Sequence, residues 1–228
     1  MRPEYSDEEL DDQCEELVSD HLHKKYGQIT FPISTEDLRL MVETEAESFG
    51  LNADLEQHGA EVEARTEFRR GQRPAVQVAL RLAQSPNLEN RFRAVLAHQY
   101  GHLRFHRLLF ETNEGSWLSL FEDPPESLPR LHSCRHNSIA PLSDEDWMEW
   151  QAGYVCGALL MPYTALIACV REFRHARDLD LAALSESSLD GLALVRDVAR
   201  RFQTSWDTAR NRLIQQRVLA AADARSMF

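Results

Sequence analysis

Two histidines stand four residues apart in the segment Ala97-His98-Gln99-Tyr100-Gly101-His102. On a helix, residues at i and i+4 lie on the same face, so both imidazoles can reach one point beside the helix. Neutral imidazole nitrogens bind zinc at about 2.0–2.1 Å. The spacing therefore predicts that His98 and His102 are two ligands of one Zn²⁺ or another divalent metal ion.

Gln99 occupies the position at which the metallopeptidase motif His-Glu-x-x-His has its general base. A carboxylate at this position takes a proton from water and later returns it to the leaving amine, whereas a carboxamide cannot accept that proton at neutral pH. Positioned acid–base catalysis contributes roughly 10²–10⁴-fold to a rate, so we expect at least that loss. The sequence therefore predicts a site that binds metal but turns over slowly.

The third ligand has two candidates, His106 and Glu149. On a straight helix His106 lies about 12 Å from His98, at 1.5 Å per residue, so one ion cannot reach both. We therefore assign His106 to packing or to the support of a ligand. Glu149 stands among apolar and small residues, where a buried carboxylate needs a cation as its partner. We predict that Glu149 is the third ligand, with an ion pair to an arginine as the alternative.

Other polar residues are weaker candidates for a role at the site. Tyr100 lies about 200° around the helix from each histidine, and we assign it to the core. The candidates for an oxyanion donor are Tyr154, His132 and His136. His132, Cys134 and His136 could also form a second metal site or place a thiolate on the zinc. Because they lack a Cys-x-x-Cys partner, we interpret them as part of an ordinary loop.

Hydrophobic periodicity predicts a mostly helical chain with one β-hairpin, whose strands are residues 61–68 and 74–80. The residues before the hairpin include an acidic amphipathic helix near the N-terminus, with Leu10, Leu17 and Leu22 on one face. Four prolines and intervening polar residues predict a long loop over 111–143. Further helices are predicted at 88–110, 145–160, 163–175, 191–201 and 205–220.

The composition is that of an ordinary globular protein, with 43% hydrophobic and 27% charged residues among 228. The net charge of −12 argues against direct binding of nucleic acid. We expect the basic C-terminal region, Val198 to Leu219, to pair with the acidic N-terminal region or with a protein partner. The sequence shows no membrane span of about 20 apolar residues and no secretory signal. With four scattered cysteines that we expect to be reduced, these features predict a cytoplasmic protein.

The order of these motifs resembles that of the ImmA/IrrE-type metallopeptidases. The segment Asn90–His106 is similar to the family's Ala-His-Glu-x-Gly-His-x-x-x-His helix. The segment Glu149–Pro162 is similar to its Glu-x-x-Ala-Asn…Leu-Leu-Met-Pro helix, although Gly153 stands where the family often has asparagine. The hairpin Glu61–Leu80 and the segment Val198–Leu213 also fit, so the resemblance extends over most of the chain.

The resemblance implies an α+β fold with a compact zincin-like metallopeptidase domain that is mostly helical and has a small antiparallel sheet. It also implies that His98, His102 and Glu149 bind the metal, and that Gln99 stands where the catalytic glutamate belongs. We accordingly expect three segments: residues 1–30 as an acidic N-terminal helix, 31–175 as the metallopeptidase domain, and 176–228 as a helical C-terminal extension packed on it.

The function that the resemblance implies is a zinc endopeptidase that cleaves a protein partner, such as a helix-turn-helix repressor or an antitoxin, in stress response or in the control of phages and mobile elements. With Gln99, the chain is expected to be an inactivated variant, either through deliberate substitution, which the intact surroundings favour, or as a natural pseudo-enzyme. One alternative is a non-catalytic zinc-binding regulator that sequesters a protein partner. Another is a DNA-binding regulator that uses residues 191–220.

Overall fold

The chain divides into two compact units in a computed structural model. Unit 1 comprises Met1–Asp7 and Thr35–Cys156, and unit 2 comprises Glu8–Ser34 and Gly157–Phe228. The structure describes residues 5–59, 61–69, 71–108, 130–135 and 147–221. Helices and strands together build the chain, so the predicted α+β class is confirmed.

Eight helices and six strands organise the described residues, together with short 3₁₀ segments. The helices are α1 (Asp7–Tyr26), α2 (Thr35–Glu45), α3 (Leu80–Gln84), α4 (Glu89–Gly101), α5 (Trp147–Leu160), α6 (Tyr163–Ala176), α7 (Leu189–Phe202) and α8 (Trp206–Gln215). A π-helical turn, His102–His106, continues α4. The strands are β1 (Ser48–Ala53), β2 (Val62–Phe68), β3 (Ala75–Ala79), β4 (Arg130–Arg135), β5 (Leu184–Ser185) and β6 (Leu219–Ala220).

The predicted hairpin forms the middle of a four-stranded sheet in unit 1, with the strand order β1-β3-β2-β4. β2 and β3 are antiparallel, with Thr66 opposite Val76. The turn between them contains Gly71 at a φ of 68°, a conformation that glycine adopts at little cost. β2 also pairs antiparallel with β4, whereas β1 runs parallel to β3. Thr66 therefore lies in a central strand, with neighbours on both sides.

The predicted loop over 111–143 is wrong at residues 130–135, which form β4. The sequence of β4, Arg-Leu-His-Ser-Cys-Arg, has little of the alternation of apolar and polar residues that marks a strand. Its pairing depends on β2, which lies far earlier in the chain and places Ala64 opposite Cys134. The rest of the predicted loop, including His136, and the first two residues of the helix predicted at 145–160 lie outside the described residues.

α4 is buried along most of its length and contributes much of the core of unit 1. Every residue from Phe92 to Gly101 is buried, including Arg93 and Gln99. A helix that is enclosed on all sides cannot show a single apolar face, so its hydrophobic periodicity in the sequence is weak. The helix predicted at 88–110 is confirmed from Glu89 to the last described residue, 108, but it is π-helical from His102 to His106.

An ion pair fastens the start of α4 to the central strand β2. Arg91 Nε donates to Glu63 Oε2 at 2.7 Å, and the guanidinium also contacts that carboxylate through Nη2. Burial alone would lower the pKa of Arg91, but the hydrogen bond and negative charge of Glu63 outweigh it and raise the pKa. The guanidinium of Arg91 therefore stays charged, and its contact with Glu63 fixes the helix relative to the strand.

Unit 2 is helical apart from one short strand pair. The buried face of α1 consists of Leu10, Cys14, Val18 and Leu22, each at 0–1% exposure. The predicted positions Leu10 and Leu22 are therefore confirmed, while Leu17 is only partly buried. These four positions repeat every four residues, which is the spacing of one helical face.

The C-terminal helices follow the prediction closely until the end of α8. α6 and α7 confirm the helices predicted at 163–175 and 191–201. The prediction of a helix over 205–220 is wrong after Gln215, where α8 ends. Arg217 has a φ of 54°, which a continuing helix does not allow, and β6 then pairs parallel with β5.

A buried ion pair joins α1 to α8 within unit 2. Arg212 is fully buried, and its Nη2 lies 2.6 Å from Asp11 Oδ1. The Nε of Arg212 donates to the carbonyl oxygen of Met161 at 3.3 Å, and Gln216 Nε2 donates to Asp11 Oδ2 at 2.8 Å. The predicted pairing of the basic C-terminal region with the acidic N-terminal region is confirmed at this contact.

In the parts of the chain that the structure describes, no single helix is long and apolar enough to cross a membrane. The consecutive helices α5 and α6 reach that length and apolarity only as a pair, and the pair is bent at the break between them.

Candidate metal centre

α4 and the turn that follows it present His98 and His102 side by side. Their Nε2 atoms lie 3.1 Å apart. Their rings meet edge to face, with centroids 4.8 Å apart. Both side chains are buried, at 7% and 1% exposure. The sequence spacing of four residues thus brings two imidazole nitrogens to one point inside unit 1, as predicted.

Glu149, in the first turn of α5, completes the group. Its Oε2 lies 3.2 Å from His98 Nε2, and its Oε1 lies 3.2 Å from His102 Nε2. The carboxylate is partly accessible, with 21% of its side chain exposed. The two oxygens therefore face one imidazole each, and this group of three side chains could hold a metal ion.

The separation of the two histidine nitrogens fits a small tetrahedral ion. Ligand atoms at the 2.0–2.1 Å that zinc prefers stand about 3.3 Å apart along the edge of a tetrahedron. His98 Nε2 and His102 Nε2 lie 3.1 Å apart, which is close to that edge, and a different oxygen of Glu149 lies 3.2 Å from each of them. Three protein ligands of a tetrahedral ion leave its fourth position for water or substrate, which is the arrangement of catalytic rather than structural zinc sites.

Gly101 allows α4 and α5 to approach closely enough for this geometry. A Cβ at Gly101 would lie 3.2 Å from the Cα of Ala152 and 3.2 Å from Cγ1 of Val155. Any larger residue would therefore force the two helices apart. A second contact holds them together, because the thiol of Cys156 donates to the carbonyl oxygen of Ala94 at 3.3 Å. The close crossing brings Glu149 on α5 to the histidines of α4.

Gln99 is anchored by the central strand of the sheet. The hydroxyl of Thr66 on β2 donates a hydrogen bond to Gln99 Oε1. Both side chains are buried, at 0% and 1% exposure. Thr66 uses one lone pair of the carboxamide oxygen, and neither the remaining lone pair nor the NH₂ group of Gln99 takes up a proton at neutral pH.

His106 contacts His102 on the side away from Glu149 and is not one of the three side chains that could hold the metal ion. This placement agrees with its predicted role in packing or in the support of a ligand. Its Nδ1 lies 3.0 Å from His102 Nδ1, and its Nε2 lies 2.8 Å from Gln151 Oε1. The ring of Trp147 packs against that of His106 edge to face, with centroids 5.4 Å apart.

The predicted oxyanion donors are not brought to the ligand group as far as the structure describes them. The hydroxyl of Tyr154 donates to the backbone carbonyl of Asp7 at 3.1 Å, so its predicted candidacy is not supported. Tyr100 is buried at 4% exposure, which confirms a place in the core. His132 lies in β4, and His136 lies outside the described residues.

Cys134 is buried in β4, and this burial affects the protonation of its thiol. Burial, together with the charge of Glu149, raises the pKa of the Cys134 thiol far above its usual range. Burial likewise raises the pKa of Cys156 to about 12. Both groups are therefore thiols at neutral pH in the metal-free protein. All four cysteines are buried and none forms a disulfide.

Sequence reasoning missed two residues that contact the site residues, Thr66 and Gln151. Gln151 had a usable signal, because it is a buried polar side chain in an otherwise apolar stretch of α5, at 2% exposure. Such a residue needs a hydrogen-bond partner. Thr66 had none, because threonine is common in strands and its partner depends on the packing of α4 against β2.

Neither a scan against protein-family models nor a search of curated proteins finds a match to this chain.

Proposed function

We propose that this chain is a zinc-binding protein of the metallopeptidase type, similar to the ImmA/IrrE proteins, whose general-base position holds glutamine. The observation that supports it is the group of His98, His102 and Glu149, with mutual separations of 3.1–3.2 Å and with Gln99 next in sequence to the first ligand. The parent reaction is hydrolysis of a peptide bond in a protein substrate.

The donor set supports zinc among divalent metals. Two imidazoles and one carboxylate suit zinc and the later transition metals better than magnesium or calcium, which prefer oxygen ligands throughout. When bound, zinc polarises a carbonyl oxygen and makes nearby water more acidic. His98 and His102 hold the metal from one helix, and Glu149 holds it from the other.

Gln99 limits what these residues can do with a bound peptide. A glutamate at this position could take the proton of an attacking water and return it to the leaving nitrogen. The carboxamide of Gln99 cannot, although it has almost the same shape and is held by Thr66. The chain as it stands therefore binds metal and a polypeptide but hydrolyses it slowly.

The partner we propose is a protein, such as a helix-turn-helix repressor or an antitoxin, met in the cytoplasm. This part of the proposal depends on the sequence resemblance and on the net charge of −12, which disfavours nucleic acid as the ligand. The alternative function is that of a non-catalytic regulator, which binds zinc and sequesters the same kind of partner. Gln99 favours this alternative if glutamine is the natural residue.

The decisive experiment compares the given chain with the Gln99→Glu variant. Both are loaded with zinc and incubated with a lysate of the source organism and with any helix-turn-helix protein encoded nearby. New peptide N-termini are then mapped by mass spectrometry. We expect cleavage to rise by about 10²–10⁴-fold in the variant, which is the usual contribution of a positioned base.

Two controls separate the proposed activity from its alternative. Chelation of zinc and the double variant Gln99→Glu/His102→Ala should both abolish the new termini. If Gln99→Glu binds zinc but yields no cleavage with any partner, the metallopeptidase proposal fails and the zinc-binding regulator becomes the better account. If the given chain binds no divalent metal, both accounts fail.

A further inference from the structure

A buried chain of hydrogen bonds leads away from the metal ligand His102. It runs from His102 Nδ1 to His106 Nδ1 over 3.0 Å and from His106 Nε2 to Gln151 Oε1 over 2.8 Å. His102, His106 and Gln151 are 1%, 0% and 2% exposed. Water is therefore largely kept from these groups.

Gln151 determines the direction in which these hydrogen bonds are donated. A carbonyl oxygen only accepts, so a neutral His106 carries its proton on Nε2 and has a lone pair on Nδ1. That lone pair accepts from His102 Nδ1–H. His102 is then protonated on Nδ1, so Nε2, the atom that faces His98 and Glu149 at 3.1 and 3.2 Å, is the nitrogen that can bind a metal.

We propose that Gln151 and His106 are positioning residues, which together hold His102 in the tautomer that can bind a metal. The inference extends the proposed metal centre and rests on it. Neither residue touches the metal position itself. Outer partners of this kind fix ring orientation and tautomer, and their loss commonly weakens metal affinity by about 10–100-fold.

The opposite orientation of the Gln151 amide would reverse the tautomers of His106 and His102. If Gln151 presented its NH₂ group, His106 would accept on Nε2 and donate from Nδ1, and His102 would then carry its proton on Nε2. A protonated Nε2 cannot bind a metal. The orientation of a single buried amide therefore decides whether His102 can serve as a ligand.

The first test uses the metal-free chain, so it does not depend on catalysis. Selective ¹⁵N labelling of histidine and long-range ¹H–¹⁵N correlation spectra distinguish the two imidazole tautomers, with His106→Asn as the variant that assigns the signals. We expect His106 to be protonated on Nε2 and His102 on Nδ1, and a second proton on His102 Nε2, which faces Glu149 when no metal is bound, also agrees with the inference. The reverse tautomers in the folded, metal-free chain would overturn the inference.

The second test measures zinc affinity by competition with a chromophoric chelator, and the spectrum of bound Co²⁺ reports the coordination geometry. Gln151→Met, which has a similar size but no comparable acceptor, should bind zinc about 10–100-fold more weakly. Gln151→Glu keeps the acceptor and should bind at least as tightly as the parent. A matched control is Tyr154→Phe, which removes a different hydrogen bond from α5 and should leave the affinity unchanged.

The outcomes separate this inference from the proposed function. If Gln151→Met and the parent bind zinc equally while His98→Ala does not bind, the positioning role is wrong and the metal centre stands. If Gln151→Met and Gln151→Glu weaken binding alike, the role of the acceptor is likewise overturned. If the parent binds no zinc or Co²⁺, the metal centre itself is wrong and the inference fails with it.

Discussion

Unit 1 and unit 2 each bury a cluster of charged or polar side chains, and the two clusters are built in opposite ways. In unit 2 a guanidinium meets a carboxylate, because Arg212 lies 2.6 Å from Asp11. In unit 1 two imidazole nitrogens and a carboxylate face one another at 3.1–3.2 Å. In their metal-binding forms all three of these groups offer lone pairs.

The contrast helps to distinguish a structural ion pair from a group that could bind a metal ion. The buried cation and anion of unit 2 attract each other, and the hydrogen bonds to Met161 and from Gln216 help to offset the cost of removing both charges from water. Lone pairs that point at one another repel, and a cation among them removes the repulsion. The cluster of unit 1 could therefore hold a metal ion, whereas the charges of the unit 2 pair balance each other.

The largest expected effect is the loss of metal binding when one ligand is removed. We expect His102→Ala to weaken zinc binding by more than 100-fold, which exceeds the loss commonly caused by outer partners. In the parent, zinc at 100 times its Kd should add about 2.7 kcal/mol to the free energy of unfolding. Thermal unfolding with zinc and with a chelator checks this, and a zinc-induced shift in His102→Ala as large as in the parent would contradict it.

The next effect concerns the balanced pair of unit 2. Asp11→Ala leaves the charge of Arg212 buried, which we expect to lower the free energy of unfolding by about 3–5 kcal/mol. The double variant Asp11→Leu/Arg212→Met removes both charges and should recover most of that loss. Denaturant unfolding measures both, with zinc affinity expected to stay at the parent's value. A double variant as unstable as Asp11→Ala would show that the pair does more than neutralise itself.

A smaller effect is expected where α4 and α5 cross. Gly101→Ala places a methyl group against Ala152 and Val155 at 3.2 Å, so it should cost about 1–3 kcal/mol and weaken zinc binding by moving Glu149 from the histidines. Gly153→Ala is the matched control, because its Cβ would meet nothing within 4 Å. The control should be neutral or stabilising by up to about 1 kcal/mol. Equal losses of unfolding free energy in both variants would show that close packing at Gly101 is not the cause.

Local pattern made the candidate ligand residues predictable. The i, i+4 spacing of His98 and His102 depends on helix geometry alone, and the helix is present. Glu149 was recognisable because it is an acidic residue in an apolar helix. The hairpin of β2 and β3 followed from a short turn between two alternating segments. In each case the information lies within a few residues of the sequence.

The parts that could not be predicted depend on contacts between distant segments. β4 lacks a strand pattern and exists through its pairing with β2. The support of Gln99 by Thr66 needs the packing of α4 on the sheet, and the link from His106 to Gln151 needs the crossing of α4 with α5. The early end of α8 likewise follows from the strand pair that β6 makes with β5.

The smallest expected effect is the loss of the side-chain cap at the start of α8. The hydroxyl of Ser205 accepts from Thr208 N–H at 3.1 Å and caps α8, the helix that carries Arg212. Ser205→Ala should cost about 1 kcal/mol, and Ser205→Asp, which keeps an acceptor, should cost little. Because a frayed α8 would weaken the hold on Arg212, Ser205→Ala combined with Asp11→Ala should cost less than the sum of the two. Strict additivity in denaturant unfolding would mean that the cap and the ion pair stabilise α8 independently.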